Sequence, residues 1–117
     1  MIKWKKKLIM TDKKYLSMLG LARRAGRLSM GHDMALKAVK EKKAKLVVLA
    51  SDVSERLIEE FKRACECDGI NILIIDETIN EIHCALGYKA GVITVNDENF
   101  SKRIEELINQ EVVAHGD

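Results

Sequence analysis

The residues best placed to do chemistry lie where a short extended segment meets a helical pattern, at Gly31, His32, Asp33 and Lys37. A glycine at a helix start lets the backbone approach a ligand, and the free amide groups of a first helical turn attract anions such as phosphate. Lys37 follows Asp33 by four residues, so both side chains project from one helix face. A lysine can donate to phosphate or to a guanine edge, and a carboxylate can accept from a base amino group.

Each of these features also has a purely structural interpretation. Gly31 could serve only as a turn residue with positive φ. The spacing of Asp33 and Lys37 is also the usual spacing of a solvated salt bridge on a helix. The residue types alone leave both interpretations open.

Four side chains of the kind that bind zinc are present: Cys65, Cys67, His83 and Cys84. Their spacing argues against a metal site, because residues two apart on a helix point in different directions and structural zinc sites favour a wider gap between cysteines. We therefore expect neither a metal nor a cofactor. An odd number of cysteines with no secretory signal before them favours a reduced, cytoplasmic setting.

Asp52 and Asp76 follow strand-like segments, where α/β enzymes often place catalytic groups. Each is more simply a helix cap or a loop residue. The sequence has no glycine-rich phosphate loop, nucleophile elbow or acid/base pair that would complete an active site. We expect a protein without catalytic residues, with a small α/β nucleotide-binding enzyme and a protein-interaction adaptor as the alternatives.

Charge is distributed unevenly along the 117 residues, although the net charge is only +2. Residues 1–45 carry 14 basic and three acidic side chains, whereas residues 46–117 carry 6 basic and 15 acidic ones. A cationic first half suits phosphate binding, because each contact releases counterions. Aromatic residues make up only 4% of the chain, which disfavours RNA-binding modules that stack bases on aromatic platforms. The alternative is that folding intermixes the charges and leaves no basic patch.

The elements that must position these residues alternate between strands and helices. Apolar runs at 46–50, 72–75 and 92–95 predict strands buried on both faces, and 28–30 is predicted to be a short extended segment. Helical periodicity and capping residues predict five helices: from Thr11 or Asp12 to Gly26, from Gly31 to Lys42, from Ser54 to Cys67, from Thr78 to Leu86, and from Asn96 or Asp97 to about residue 110.

This order predicts an α/β fold, a three-layer α-β-α sandwich with a central mixed, largely parallel four-stranded sheet. A single domain is expected over residues 11–110. Residues 1–10 are expected to form a flexible basic tail and residues 111–117 a second flexible tail.

A longer set of residues resembles a known family. The stretch from Leu19 to Leu28 (LGLARRAGRL), then Gly31, then 36–39 (LKAV) and 44–52 (AKLVVLASD) follow one another as in the kink-turn-binding ribosomal proteins of the L-seven-Ae type. The match continues through 85–87 and 92–95 and so covers roughly residues 13–108. It is closest to the small bacterial, ribosome-associated members.

The resemblance implies a sandwich that binds RNA kink-turns, which are sharply bent internal loops closed by tandem sheared G·A pairs. In the family, the start of the second helix enters the RNA groove, and a loop before the last strand contacts the RNA from the other side. The corresponding residues here are Gly31, His32, Asp33 and Lys37 on the helix and Tyr88, Lys89, Ala90 and Gly91 in the loop. Arg24 and Arg27 are expected to join Lys37 and Lys89 on one cationic surface.

Two positions depart from the family's pattern. Archaeal and eukaryotic relatives usually carry an Asn-Glu pair where this chain has Asp33-Met34, and methionine cannot hydrogen-bond a guanine edge as glutamate does. His83 stands where relatives commonly carry glycine. The expected partner is structured RNA, specifically kink-turns in ribosomal or regulatory RNA, with no membrane partner and a monomeric free protein.

Overall fold

The computed structural model describes residues 13–116, with side chains described as far as Glu111. This part of the chain contains five helices and four strands: α1 (Lys14–Arg24), β1 (Leu28–Met30), α2 (His32–Lys40), β2 (Leu46–Leu49), α3 (Glu55–Glu66), β3 (Asn71–Ile74), α4 (Ile79–Leu86), β4 (Val92–Val95) and α5 (Glu98–Gly116). The predicted tail at 1–10 lies outside the described residues. The predicted start of α1 at Thr11 or Asp12 is wrong, because α1 begins at Lys14 with Lys13 at its N-cap.

The four strands form one sheet in the order β1-β4-β2-β3. β4 pairs antiparallel with β1 and with β2, and β2 pairs parallel with β3. The predicted α/β sandwich with a mixed sheet is confirmed, but the expectation that the sheet is largely parallel is wrong, because only one of the three pairings is parallel. The reason is that α4 does not return the chain to the other end of the sheet. β4 therefore starts at the end where β2 finishes, and Ala50 N donates to Gly91 O there at 2.9 Å.

The core consists of two apolar clusters, one on each face of the sheet. Leu46 and Val48 face the cluster formed with α1, α4 and α5, whereas Val47 and Leu49 face the cluster formed with α2 and α3. All four residues of β2 and of β4 are buried, as predicted for strands covered on both faces. β3 contradicts that prediction, since its end residues Asn71 and Ile74 are exposed at the edge of the sheet.

The helix ends follow from identifiable caps. The Thr78 side chain accepts from the Glu81 amide and the Glu81 side chain accepts from the Thr78 amide, so the predicted capping box of α4 is confirmed. Asp97, not Asn96, caps the last helix by accepting from the amide of Phe100 at 3.0 Å. α2 ends at Lys40, two residues before the predicted end. α5 continues to Gly116, past the predicted domain boundary at residue 110.

A buried carboxylate fixes the start of α1 against the segment that follows β3. Glu77 accepts from the Tyr15 hydroxyl at 2.7 Å and lies 3.0 Å from the ammonium nitrogen of Lys13. Burial, together with the neighbouring charge of Glu77, raises the pKa of the Tyr15 phenol, so the hydroxyl stays protonated and donates. No helix in the described part of the chain combines the length and the apolar composition needed to cross a membrane.

Candidate nucleic-acid interface

Gly31 is held at the junction between β1 and α2. Its amide donates to the carbonyl oxygen of Val92 at 3.0 Å, and its backbone has φ 98° and ψ 159°, a conformation found almost only in glycine. A Cβ added at Gly31 would meet no atom within 4 Å. The glycine is therefore required by its backbone conformation, as the turn interpretation proposed, and the open space beside it leaves room for a ligand.

The loop from Tyr88 to Gly91 lies at the same end of the sheet as Gly31. It leads directly into Val92, the residue whose carbonyl group binds Gly31. Ala90 is only 4% exposed, and a Cβ on Gly91 would come within 2.8 Å of Val53 Cγ1, so these two residues pack into the protein. Tyr88 and Lys89 are exposed. The structure thus brings the two predicted halves of the site together, but only part of the loop faces outward.

His32 lies between two carboxylates. Its Nε2 atom is 2.9 Å from Glu60 Oε1 on α3, and its Nδ1 atom is 3.2 Å from Asp33 Oδ1. The ring also packs edge-on against Phe61, with 5.8 Å between the ring centroids. The hydrogen bond to Glu60, followed by that to Asp33, raises the pKa of His32, because the protonated ring can donate to both carboxylates.

Glu60 is not among the site residues that the sequence predicted. It lies 28 positions beyond His32, and a glutamate on a helix rich in charged residues carries no local signal of that contact. The packing of α3 beside α2 over the same face of the sheet brings the two side chains together.

Lys37 is exposed on α2, and none of the described carboxylates forms an ion pair with it. Asp33 binds His32 instead, and its side chain is fully exposed. The salt-bridge interpretation of the Asp33–Lys37 spacing therefore does not hold. Met34 is 55% exposed in the first turn of the same helix. The outer face of α2 thus presents an unpaired ammonium group, a carboxylate and an apolar side chain.

Arg24 and Arg27 are both exposed, Arg24 at the last residue of α1 and Arg27 just before β1. The neighbour of Arg24, Arg23, donates from Nη1 to the carbonyl oxygen of Leu86 at 3.0 Å, which places the end of α1 beside the start of the loop. Arg27 is bound at the far end of β4, where its carbonyl oxygen accepts from the Asn96 amide at 2.8 Å. The strand rise of about 3.3 Å per residue puts the backbones of Arg27 and Gly31 roughly 13 Å apart. Arg27 and Gly31 therefore lie at opposite ends of β1, and the shared cationic surface of Arg27 with Lys37 and Lys89 stays a prediction.

Two groups that could have supported other chemistry have structural roles. Asp52 Oδ1 accepts from the amide of Ile79 at 2.9 Å and so binds the first turn of α4. Cys65 is buried, and burial raises the pKa of its thiol, which makes it unreactive. Within the described residues, no group of three or more His, Cys, Asp or Glu side chains lies close enough together to hold a metal ion.

The fold and the site together define a class of protein: a three-layer sandwich that presents, at one end of its sheet, a helix start with a conformationally required glycine and an adjoining glycine-bounded loop. The chain is similar to the RNA-binding protein YlxQ of Enterococcus faecium, with 30% identity over 95 residues that cover 81% of this chain and 91% of that protein. It is also similar to the solved structure of a Bacillus halodurans protein of unknown function, with 31% identity, a TM-score of 0.78, and coverage of 84% of this chain and 99% of that one.

A 15.5 kD RNA-binding protein of Giardia lamblia has the same fold, with a TM-score of 0.67 at 21% identity over 81% of this chain and 82% of that one. The profile of the ribosomal protein L7Ae/L30e/S12e/Gadd45 family matches residues 13–105. The chain belongs to this family.

We expect Gly31→Ala to lower the free energy of unfolding by about 1–3 kcal/mol without any RNA present, because a Cβ at this φ and ψ strains the backbone. Gly20→Ala is the matched control, since Gly20 lies inside α1 and its added Cβ would meet only Leu86 Cδ2, at 3.9 Å. It should be neutral or slightly stabilising. Denaturant unfolding measures both, and equal effects of the two substitutions would contradict the conformational role of Gly31.

We expect the pKa of His32 to lie above its ordinary value of about 6.5 and to fall when Glu60 is replaced by glutamine. Because the folded-state pKa is raised, the stabilisation from this cluster is present below pH about 6.5 and is lost as the pH rises through the folded-state pKa. An NMR titration of the His32 ring measures the shift. Glu59→Gln, on the same helix, is the control; a pKa that responds equally to both changes would rule out the specific pairing.

Proposed function

We propose that this protein is a non-enzymatic RNA-binding protein that recognises kink-turns in ribosomal or regulatory RNA. The observation that carries the proposal is the hydrogen bond from Gly31 N to Val92 O, which holds the start of α2 next to the loop at 88–91. A family relative, YlxQ, bears the name of an RNA-binding protein. The resemblance in sequence assigns these same two segments to kink-turn contact.

The start of α2 supplies hydrogen-bond donors for a phosphate group. No side chain caps this helix, so the amide groups of its first turn are left without a capping acceptor. The positive end of the helix dipole favours an anion there, and the nine-residue helix is long enough to provide that dipole. Gly31 lets an RNA backbone approach, because its surroundings contain no atom that a Cβ would meet.

The side chains around this point supply charge and base contacts. Lys37 provides a positive charge that no described carboxylate neutralises. Asp33, fully exposed, can accept from a base amino or imino group. Tyr88 is 47% exposed and offers a ring on which an unpaired base can stack. Met34 provides only apolar contact, so Asp33 takes over the hydrogen bonding that relatives assign to the following glutamate.

A kink-turn RNA should bind this protein more tightly than a plain duplex of equal length, because the resemblance implies that α2 and the loop contact the two sides of a bent internal loop, which a plain duplex lacks. A fluorescence-anisotropy titration across a salt series measures the affinities and the number of phosphate contacts. A third RNA, in which the sheared G·A pairs are replaced by Watson–Crick pairs, is the control for the kink itself. Equal affinities for all three RNAs would reduce the activity to nonspecific binding.

Lys37→Gln should weaken binding to every RNA about evenly and lower the slope of log K against log salt by about one, as expected for loss of a phosphate contact. Lys62→Gln removes an equal charge from the exposed surface of α3 and serves as the control. If the two variants bind alike, the outer face of α2 is not part of the interface.

A further inference from the structure

A second cationic surface lies at the end of the sheet opposite Gly31. Lys45 N donates to the carbonyl oxygen of Val95 at 2.7 Å, and Asn96 N donates to the carbonyl oxygen of Arg27 at 2.8 Å. The two basic residues therefore flank the last residues of β4, whereas Gly31 is bound to its first residue. The turn after α2 adds further basic side chains, and we call the whole set the basic end: Arg27, Lys40, Lys42, Lys43 and Lys45.

Acidic residues neutralise this surface only in part. Lys43 lies 3.3 Å from Glu41, and Arg27 Nε lies 3.9 Å from Asp97. Three of these four side chains are more than 40% exposed, and ion pairs of this kind contribute little because water screens them. Lys40, Lys42 and Lys45 form no ion pair with any described carboxylate. Three ammonium groups are thus available to an external anion.

Two of these lysines border a shallow depression. Lys42 and Lys45 line it together with Ala44, Asp68, Gly69 and Ile70, and its volume is about 300 Å³. Asp68 is the one acidic side chain in this lining. A depression bordered by two lysines suits a phosphate group, since lysine acts on phosphate as a point charge and can donate from any of three positions.

Lys42 occupies a backbone position at which glycine is the usual residue. Lys42 has φ 63°, and Lys43 N donates to Ala38 O at 2.9 Å, which is the helix-ending motif that usually places glycine at this position. A lysine there strains the backbone, because a residue with a Cβ is disfavoured at positive φ.

The helix dipole offers a simpler explanation for part of the surface. Cations near the carboxyl end of a helix are stabilised by the dipole, which would account for Lys40 and Lys42. It does not account for Arg27 or Lys45, which precede β1 and β2 and belong to no helix.

We propose that the basic end binds the phosphate backbone of a second RNA segment, so that one molecule holds two segments of the same RNA at opposite ends of its sheet. The proposal rests on the proposed function for the first segment. Backbone phosphate is the chemistry inferred because four of the five side chains of the basic end are lysines, whose ammonium groups act on phosphate as point charges. Gly31 and the basic end are separated by the length of β4, roughly 10 Å along the strand, and Lys37 lies between them on α2, one turn before Lys40.

The experiment compares a minimal kink-turn RNA with the same RNA carrying a 20-base-pair duplex extension on either stem. Three proteins are used: the wild type, Lys42→Asn/Lys43→Gln/Lys45→Gln, and the control Lys62→Gln/Lys102→Gln/Arg103→Gln, which removes the same charge from α3 and α5. Asparagine is chosen at position 42 because it tolerates left-handed backbone. Thermal unfolding of each variant is recorded, and Lys45→Gln alone replaces the triple variant if that variant unfolds early.

All three proteins should bind the minimal RNA alike. At least one extended RNA should bind the wild type and the control more tightly than the minimal RNA, with a salt slope steeper by about two to three. The basic-end variant should lose this gain. Asp68→Asn should raise affinity for the extended RNA severalfold, because it removes the one carboxylate from the depression.

The proposal is overturned if extension adds no affinity to the wild type, or if the basic-end and control variants lose affinity equally. Failure of the proposed function is a different result: the minimal kink-turn would then bind no better than a plain duplex. In that case the slope of log K against log salt is measured with duplex RNA. A slope that falls in the basic-end variant but not in the control supports phosphate binding by the basic end, and equal slopes overturn it.

Discussion

The hydrogen bonds on both sides of β4 are the constraint from which the functional surfaces follow. This strand is buried along its whole length and pairs antiparallel with β1 on one side and β2 on the other. At its start, Val92 binds Gly31 and the preceding Gly91 binds Ala50; at its end, Val95 binds Lys45. Each end of one strand therefore fixes the start of a helix or the entry to a neighbouring strand. A shift of β4 by one residue would move every one of these contacts and turn its core side chains to the other face.

Local chemistry made the helices of this chain predictable. The capping box at Thr78 and the glycine at position 87, with φ 82°, specify where α4 begins and ends without reference to the rest of the fold. The direction of the strands was not predictable in the same way, because a four-residue apolar run such as Val92–Val95 looks alike whichever way it runs. The exposure of Ile74 was missed for a related reason, since an apolar composition does not reveal which strand forms the edge of the sheet.

The candidate site shows the same division. The resemblance selected both α2 and the loop, and the bond from Gly31 to Val92 brings them to one end of the sheet. Charge counting along the chain could not show that Arg27 and Gly31 lie at opposite ends of β1, because it does not reveal which segments are extended. The contact of His32 with Glu60 depends on how α2 and α3 lie against each other, which no local pattern encodes.

The tight fit around Gly91 has a consequence for how the loop meets a partner. The position of a Cβ on Gly91 would be 2.8 Å from Val53 and 3.2 Å from Ile79, and Ala90 is buried beside it. The second half of the loop is therefore held by packing against two other segments, and an outward movement would break these contacts and expose Ala90. Its backbone is already ordered before any ligand arrives, so little conformational entropy remains to be lost there on binding. The side chains of Tyr88 and Lys89 can therefore change rotamer to fit different partners, while the backbone of the loop keeps one conformation.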